Sequence, residues 1–226
     1  MPTTMERRSF LRVALASVAA VPLSACGARS PSDARPSPAG RPRPAQAGRG
    51  RILLAYFSRA GENYYYGGRR DLRVGNTEVL ARMISARLDC DVHRIEPVDP
   101  YPDSYDETVE RNVREQDADA RPGIENPPAS IDAYDTILLA SPIWNVRAPM
   151  IMATFAERYD FSGKTVFPVT THAMSGLGTA PDDYARSCRG ARIGTGLAVR
   201  GEEVRSADAD VESWLRRTAL LERRGA

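Results

Sequence analysis

Three nearly unbroken apolar runs, Ile52 to Phe57, Thr136 to Ala140 and Thr165 to Val169, constrain this chain more than any other feature. A strand with one wet face alternates apolar and polar residues, whereas a strand covered on both faces does not. Each run is followed by a polar, glycine-containing loop and then by a helical pattern. Val79, Leu80, Met83, Ile84 and Leu88 share one face of a helix expected from Asn76 to about Leu88. Further helices are expected over about Ser104–Gln116, Met150–Arg158 and Ala180–Cys188, with a last one starting at Ser206. Strands are expected near Asp91–Ile95 and over 192–199. This alternation argues for an α/β fold: a three-layer sandwich around a five-stranded parallel sheet in the order 2-1-3-4-5. Pro168 lies inside the fourth strand, where it removes a ladder donor.

The sheet occupies only part of the 226 residues. Residues 1–50 hold eight of the 31 basic and two of the 29 acidic groups, leaving the remainder at a formal −4. The overall charge of +2 therefore belongs to the leader, and nothing in the folded part points to nucleic acid. Arg7 and Arg8, followed by Ser9, Phe10, Leu11 and Arg12, match the twin-arginine export signature. An apolar stretch from Val13 to Leu23 is too short for the ~20 residues that span a bilayer. Leu23-Ser24-Ala25-Cys26 resembles the lipobox of bacterial lipoproteins, in which the cysteine is lipidated and becomes the mature N-terminus. Residues 1–26 are thus expected to be a signal peptide and 27–50, rich in Pro, Ala, Gly, Ser and Arg, a disordered tether. The expected location is the extracytoplasmic face of the cell membrane, anchored through Cys26, with residues 51–226 as the folded domain. Cys90 and Cys188 are expected to be free, mostly buried thiols, because they precede opposite edges of the sheet.

In an open parallel sheet, ligands bind beyond the carboxyl ends of the strands. The first loop there offers Ser58, Arg59 and Gly61, and Gly75, Asn76 and Thr77 open the following helix, whose free N–H groups suit an anion. An ordinary strand-to-helix turn capped by Asn76 would use the same residues. The insertion Glu62–Val74 carries Tyr64, Tyr65 and Tyr66, which either pack over a ligand or cover the sheet edge. The second loop, Pro142, Ile143, Trp144 and Asn145, presents a flat indole for stacking on a planar ring, or for packing under the next helix. The third loop runs through Thr171, His172, Ser175, Gly176 and Gly178; it is rich in hydroxyl and backbone donors that suit the polar edge of a heterocycle. His172 either touches ligand or fixes the loop. A dinucleotide fingerprint is excluded, since the third glycine is missing and Pro181 stands near its place.

Taken in order, Ala55-Tyr56-Phe57-Ser58-Arg59, Gly61-Glu62-Asn63-Tyr64-Tyr65, Gly75-Asn76-Thr77-Glu78, Glu96-Pro97-Val98-Asp99-Pro100-Tyr101-Pro102, Ser141-Pro142-Ile143-Trp144 and Thr171-His172 with Ser175-Gly176-Leu177-Gly178 resemble the flavodoxin family. The branch resembled has an insertion in its first loop. This resemblance covers about 51–205 and implies non-covalent FMN. It implies that Ser58, Arg59, Asn76 and Thr77 hold the phosphate, that Pro142 to Asn145 flank the isoalloxazine, and that Thr171 to Gly178 meet its far side. Asn145 stands where the branch has a second tryptophan, and Ala60 where it has threonine. Three functions follow as expectations. The first is an electron-transfer flavoprotein with an unidentified redox partner or small acceptor, its potential raised by Arg147 if that residue approaches the ring. The second is an FMN-dependent oxidoreductase acting on quinones or similar acceptors. The third is a flavin-free binding lipoprotein on the same fold.

Overall fold

The structure is a computed structural model in which residues 51–221 are described. The export signal, the lipobox with Cys26 and the tether 27–50 lie outside the described residues.

The expected sheet is present. Strands β1 (Arg51–Tyr56), β4 (Asp91–Arg94), β5 (Tyr134–Pro142) and β6 (Thr165–His172) are parallel in the order β4-β1-β5-β6. The apolar runs are explained by their two covered faces. Leu53, Ala55, Phe57, Ile137 and Leu139 point into one core with Phe155 and Phe161. Leu54, Tyr56, Leu138 and Ala140 point into the other, with Leu80, Ile84 and Trp214. Helices α3 (Met150–Arg158) and α4 (Ala180–Ser187) supply the first core, and α1 (Asn76–Ser85) and α5 (Asp208–Arg217) the second.

The expected fifth strand is two short ones. β7 (Arg192–Ile193) pairs with the start of β6, and β8 (Leu197–Arg200) with its end. The gap opposes Phe167 and Pro168. A Cβ on Gly194 would enter the Phe167 ring, and one on Gly196 would lie 2.9 Å from the Pro168 carbonyl oxygen. Pro168 thus sits in an interior strand at the place where the outer ladder is interrupted, so its missing N–H breaks no pairing there.

Two further features depart from expectation. The insertion folds into an antiparallel hairpin, β2 (Gly61–Tyr65) and β3 (Gly68–Leu72), which pairs with no strand of the main sheet. Its turn residues Tyr66 and Gly67 both have positive φ, 45° and 86°, as a two-residue hairpin loop of matching twist demands. The last helix is preceded by a 3-10 segment, Gly201–Ser206, so α5 begins at Asp208 rather than Ser206. The polar crossover forms α2 (Tyr105–Asp117), capped by Ser104, whose side chain accepts the Glu107 N–H. Cys90 and Cys188 are free; Cys188 is buried and Cys90 half-buried.

Candidate functional site

The carboxyl ends of β1, β5 and β6 open into one cavity of about 530 Å³. The first loop contributes Ser58, Arg59, Asn76 and Thr77, the second Pro142, Ile143, Trp144 and Asn145, and the third Thr171, His172 and Ser175. Eleven of the fourteen residues expected here from the sequence are therefore brought together. Gly75, Gly176 and Gly178 do not line the cavity; they shape its walls. At Gly75 a Cβ would collide with the Arg59 carbonyl and the Ser58 hydroxyl, and at Gly178 with the Val146 carbonyl. Gly176 and Gly178 also have φ of 60° and 53°, in the left-handed region that glycine enters at little cost.

At the start of α1, the Ser58 hydroxyl accepts the Glu78 N–H at 3.0 Å, and the Val79 N–H goes to the Gly75 carbonyl at 3.2 Å. The N–H groups of Asn76 and Thr77 have no acceptor among the described residues, which leaves two donors and the positive end of the helix dipole for an anion. The hydroxyls of Thr77 and Thr171 are 2.7 Å apart in the buried floor. Thr77 can therefore present its backbone, while its side chain ties α1 to β6. Arg59 also departs from its expected role. Its terminal nitrogens donate to the carbonyls of Pro102 and Asp103 at 2.8 and 3.0 Å, and to that of Glu62, which fastens the hairpin to the start of α2. Only its Nε, buried and without a partner, is left for a ligand.

Trp144 packs against the core and also borders the cavity. Its ring meets Tyr101 and Phe57 edge-on, with centroids at 5.0 and 5.6 Å, and also lines the cavity. Tyr101 is fixed in turn by donating to Glu115 at 2.8 Å beneath the Arg111 guanidinium, 4.0 Å from its ring centroid. The loop closes on itself, Trp144 N–H to the Arg147 carbonyl at 3.0 Å, with Asn145 at φ 61°. Asparagine enters the left-handed region more readily than tryptophan, so Asn145 fits the backbone required of it. The second and third loops are stitched by Ile143 N–H to the Thr171 carbonyl, 2.8 Å, and by Ser175 Oγ to the Asn145 carbonyl, 3.2 Å.

Arg147 does not approach the cavity. It lines a separate pocket of about 250 Å³ and pairs with Asp183 at 3.6 Å, so its expected influence on a ring is corrected.

The sequence reading missed one whole wall. α2 lines the cavity with Tyr105, Thr108, Val109, Asn112 and Val113, the hairpin adds Asn63, and Met174, Gly201 and Glu202 complete the rim, while Tyr64 of the insertion borders the cavity, the first of the two placements open to it. The available signal was Val109 and Val113, one helical turn apart on an otherwise polar helix and about two-fifths exposed. Three buried polar atoms without partners converge here: Arg59 Nε, a donor; Glu202 Oε2, an acceptor; and His172 Nδ1, which can be either. An unpaired buried polar group costs about 1–3 kcal/mol, so three in one cavity mark a polar ligand's place. Burial lowers the His172 pKa below its usual value, helped by Arg200 and opposed by Glu202 and Glu203.

Comparison with known proteins agrees with this geometry. The family profile described as flavodoxin matches residues 70–218, more than half of the chain. A protein from Bacteroides eggerthii assigned as a flavoprotein is 26% identical, with a TM-score of 0.60 over 75% of this chain and 98% of its own. A similarly assigned protein from Bacteroides uniformis is 27% identical, with a TM-score of 0.59 over 74% and 98%. A flavoprotein from Lactobacillus acidophilus, solved in complex with FMN, shares the fold at 15% identity, with a TM-score of 0.53 over 74% and 99%. No curated protein matches the chain significantly.

Proposed function

From a chain that belongs to the flavodoxin family, we propose a protein that binds FMN in this cavity and carries electrons at the outer side of the cytoplasmic membrane. The observation that carries the reading is the convergence of three unpartnered buried polar atoms with two free helix N–H groups at the sheet's carboxyl edge. The residues present fit the group. Asn76 and Thr77 N–H groups would receive the phosphate, with Ser58 holding the turn that aims them. Ile143 and Trp144 give the ring an apolar flank, and Thr171 to Ser175 bound its other side. When bound, the flavin supplies reversible electron uptake; the chain's part is to hold it and set its potential.

The twin-arginine leader supports export of a folded protein that already holds its cofactor, and Cys26 supports a lipid anchor. An FMN-dependent oxidoreductase acting on a quinone or similar acceptor is the second reading. It is favoured by the exposed apolar pair Val109 and Val113, which leaves room for an apolar molecule beside a ring.

The first test is the visible absorption spectrum of the purified full-length chain, before and after addition of FMN. Flavin bands released on denaturation and identified as FMN are expected. A chain that stays colourless with FMN present would overturn the reading. For the anchor, Cys26→Ser should move the protein from the membrane fraction to the soluble one; unchanged fractionation would remove it.

A further inference from the structure

We propose that His172, with Glu202 as its counter-charge, is the proton acceptor of the cavity and takes up a proton when a flavin held there is reduced. The proposal rests on the FMN reading. His172 ends β6, where its register partner across the ladder is Arg200 of β8, and Glu202 follows two residues later. Both side chains line the cavity, and both keep a buried polar atom without a partner.

Neighbouring polar groups at this end are engaged. The Thr171 hydroxyl bonds Thr77, and Glu202 Oε1 accepts the Tyr66 N–H of the hairpin turn at 3.3 Å. Gly201 lets this segment approach α1, since a Cβ there would lie 2.5 Å from Asn76 Nδ2. What remains is one imidazole nitrogen and one carboxylate oxygen in the wall of a single cavity.

The charged groups acting on His172 are Arg200 of β8 and Glu202 and Glu203 of the 3-10 segment. Burial and Arg200 favour the neutral imidazole, and the two carboxylates favour the cation. The balance is tipped by one added negative charge in the cavity, which stabilises a nearby cation. The two electrons come from an external donor, dithionite in vitro or a reduced carrier protein in the cell. Two protons come from solvent: one joins the flavin with the two electrons, which leaves one added negative charge there, and the other ends on an imidazole nitrogen; both return to solvent on reoxidation.

The chain has two histidines, which makes the test direct. His93 lies on β4 and packs against Phe155 with ring centroids 6.1 Å apart, outside the cavity, and serves as an internal control. The full-length chain is loaded with FMN and its midpoint potential followed across about pH 5 to 9, the span in which an imidazole titrates. The wild-type profile should bend where His172 titrates. His172→Gln should lose that bend, and Glu202→Gln should move it to lower pH. NMR titration of the two imidazoles should show the proton affinity of His172 rising about tenfold on reduction, with His93 unmoved. Coincident profiles for wild type and His172→Gln, or equal His172 ionisation in both redox states, would overturn the proposal. If His172→Gln does not retain FMN, the imidazole titration of the wild type decides. Failure of the FMN reading is seen separately, as a wild-type chain that takes up no FMN, and both ideas then fall together.

Discussion

The hydroxyls of Thr77 and Thr171 lie 2.7 Å apart, joining the first turn of α1 to the end of β6 beneath the cavity floor. The first and third loops, 94 residues apart in sequence, are thereby set against one another. Removing one hydroxyl strands the other in a buried site, at a cost of about 1–3 kcal/mol. Thr77→Val and Thr171→Val should each lower the melting temperature, and the double variant should lose less than the sum. Additive losses in a double-mutant cycle would mean that the pair does not act as a unit.

Gly75 lies directly behind the first loop. Gly75→Ala would press a methyl group into the Arg59 carbonyl and the Ser58 hydroxyl. The expected result is at least a tenfold loss of FMN affinity, about 1.4 kcal/mol, with the fold retained by circular dichroism. Wild-type affinity in a fluorescence titration would show that the loop yields without consequence for the anion site.

Arg147 is held at Asp183, in a pocket apart from the main cavity. Arg147→Ala should therefore leave the flavin midpoint potential unchanged. A fall in that potential would mean that the arginine reaches the ring after all.

Burial pushes the pKa of the Cys90 thiol up to about 11 and that of the Cys188 thiol up to about 12, above the ordinary thiol range. Neither should react appreciably with a thiol reagent at pH 8 until the protein unfolds. A folded-state pKa above the unfolded one gives stability that is complete below pH 9 and lost as pH rises through 11 to 12. Melting temperature should accordingly fall between pH 8 and about 10.5, and fall less in Cys188→Ala. Rapid labelling of the native protein at pH 8 would contradict the burial.

The main sheet was legible because doubly covered strands leave unbroken apolar runs, as Leu53–Phe57 and Ile137–Ala140 do. Most of the site was legible for a related reason: the strand ends fix where the loops must be. What escaped is tertiary. The paired Val109 and Val113 are the one local hint within Ser104–Gln116, but a polar helix with two valines reads as a surface helix until the fold sets it against the cavity. The Arg59 side chain was misread because its three carbonyl partners, on Glu62, Pro102 and Asp103, belong to segments whose positions only the fold determines. The insertion concealed its hairpin because β3, Gly68–Leu72, is mostly exposed and carries no apolar alternation to announce a strand. The split of β7 and β8 follows from Gly194 and Gly196 yielding to Phe167 and Leu177, a contact that sequence spacing does not encode.

The hairpin shares no ladder with the main sheet; α2 meets it through Arg69, 3.6 Å from the Tyr105 ring centroid, and Glu62, which accepts the Tyr105 N–H at 3.2 Å. Its residues can therefore be exchanged without disturbing a single register in the layer below. The mouth of the flavin well, Asn63 and Tyr64 included, is thus built from a segment that the sheet does not hold and that Arg59 fastens at its base.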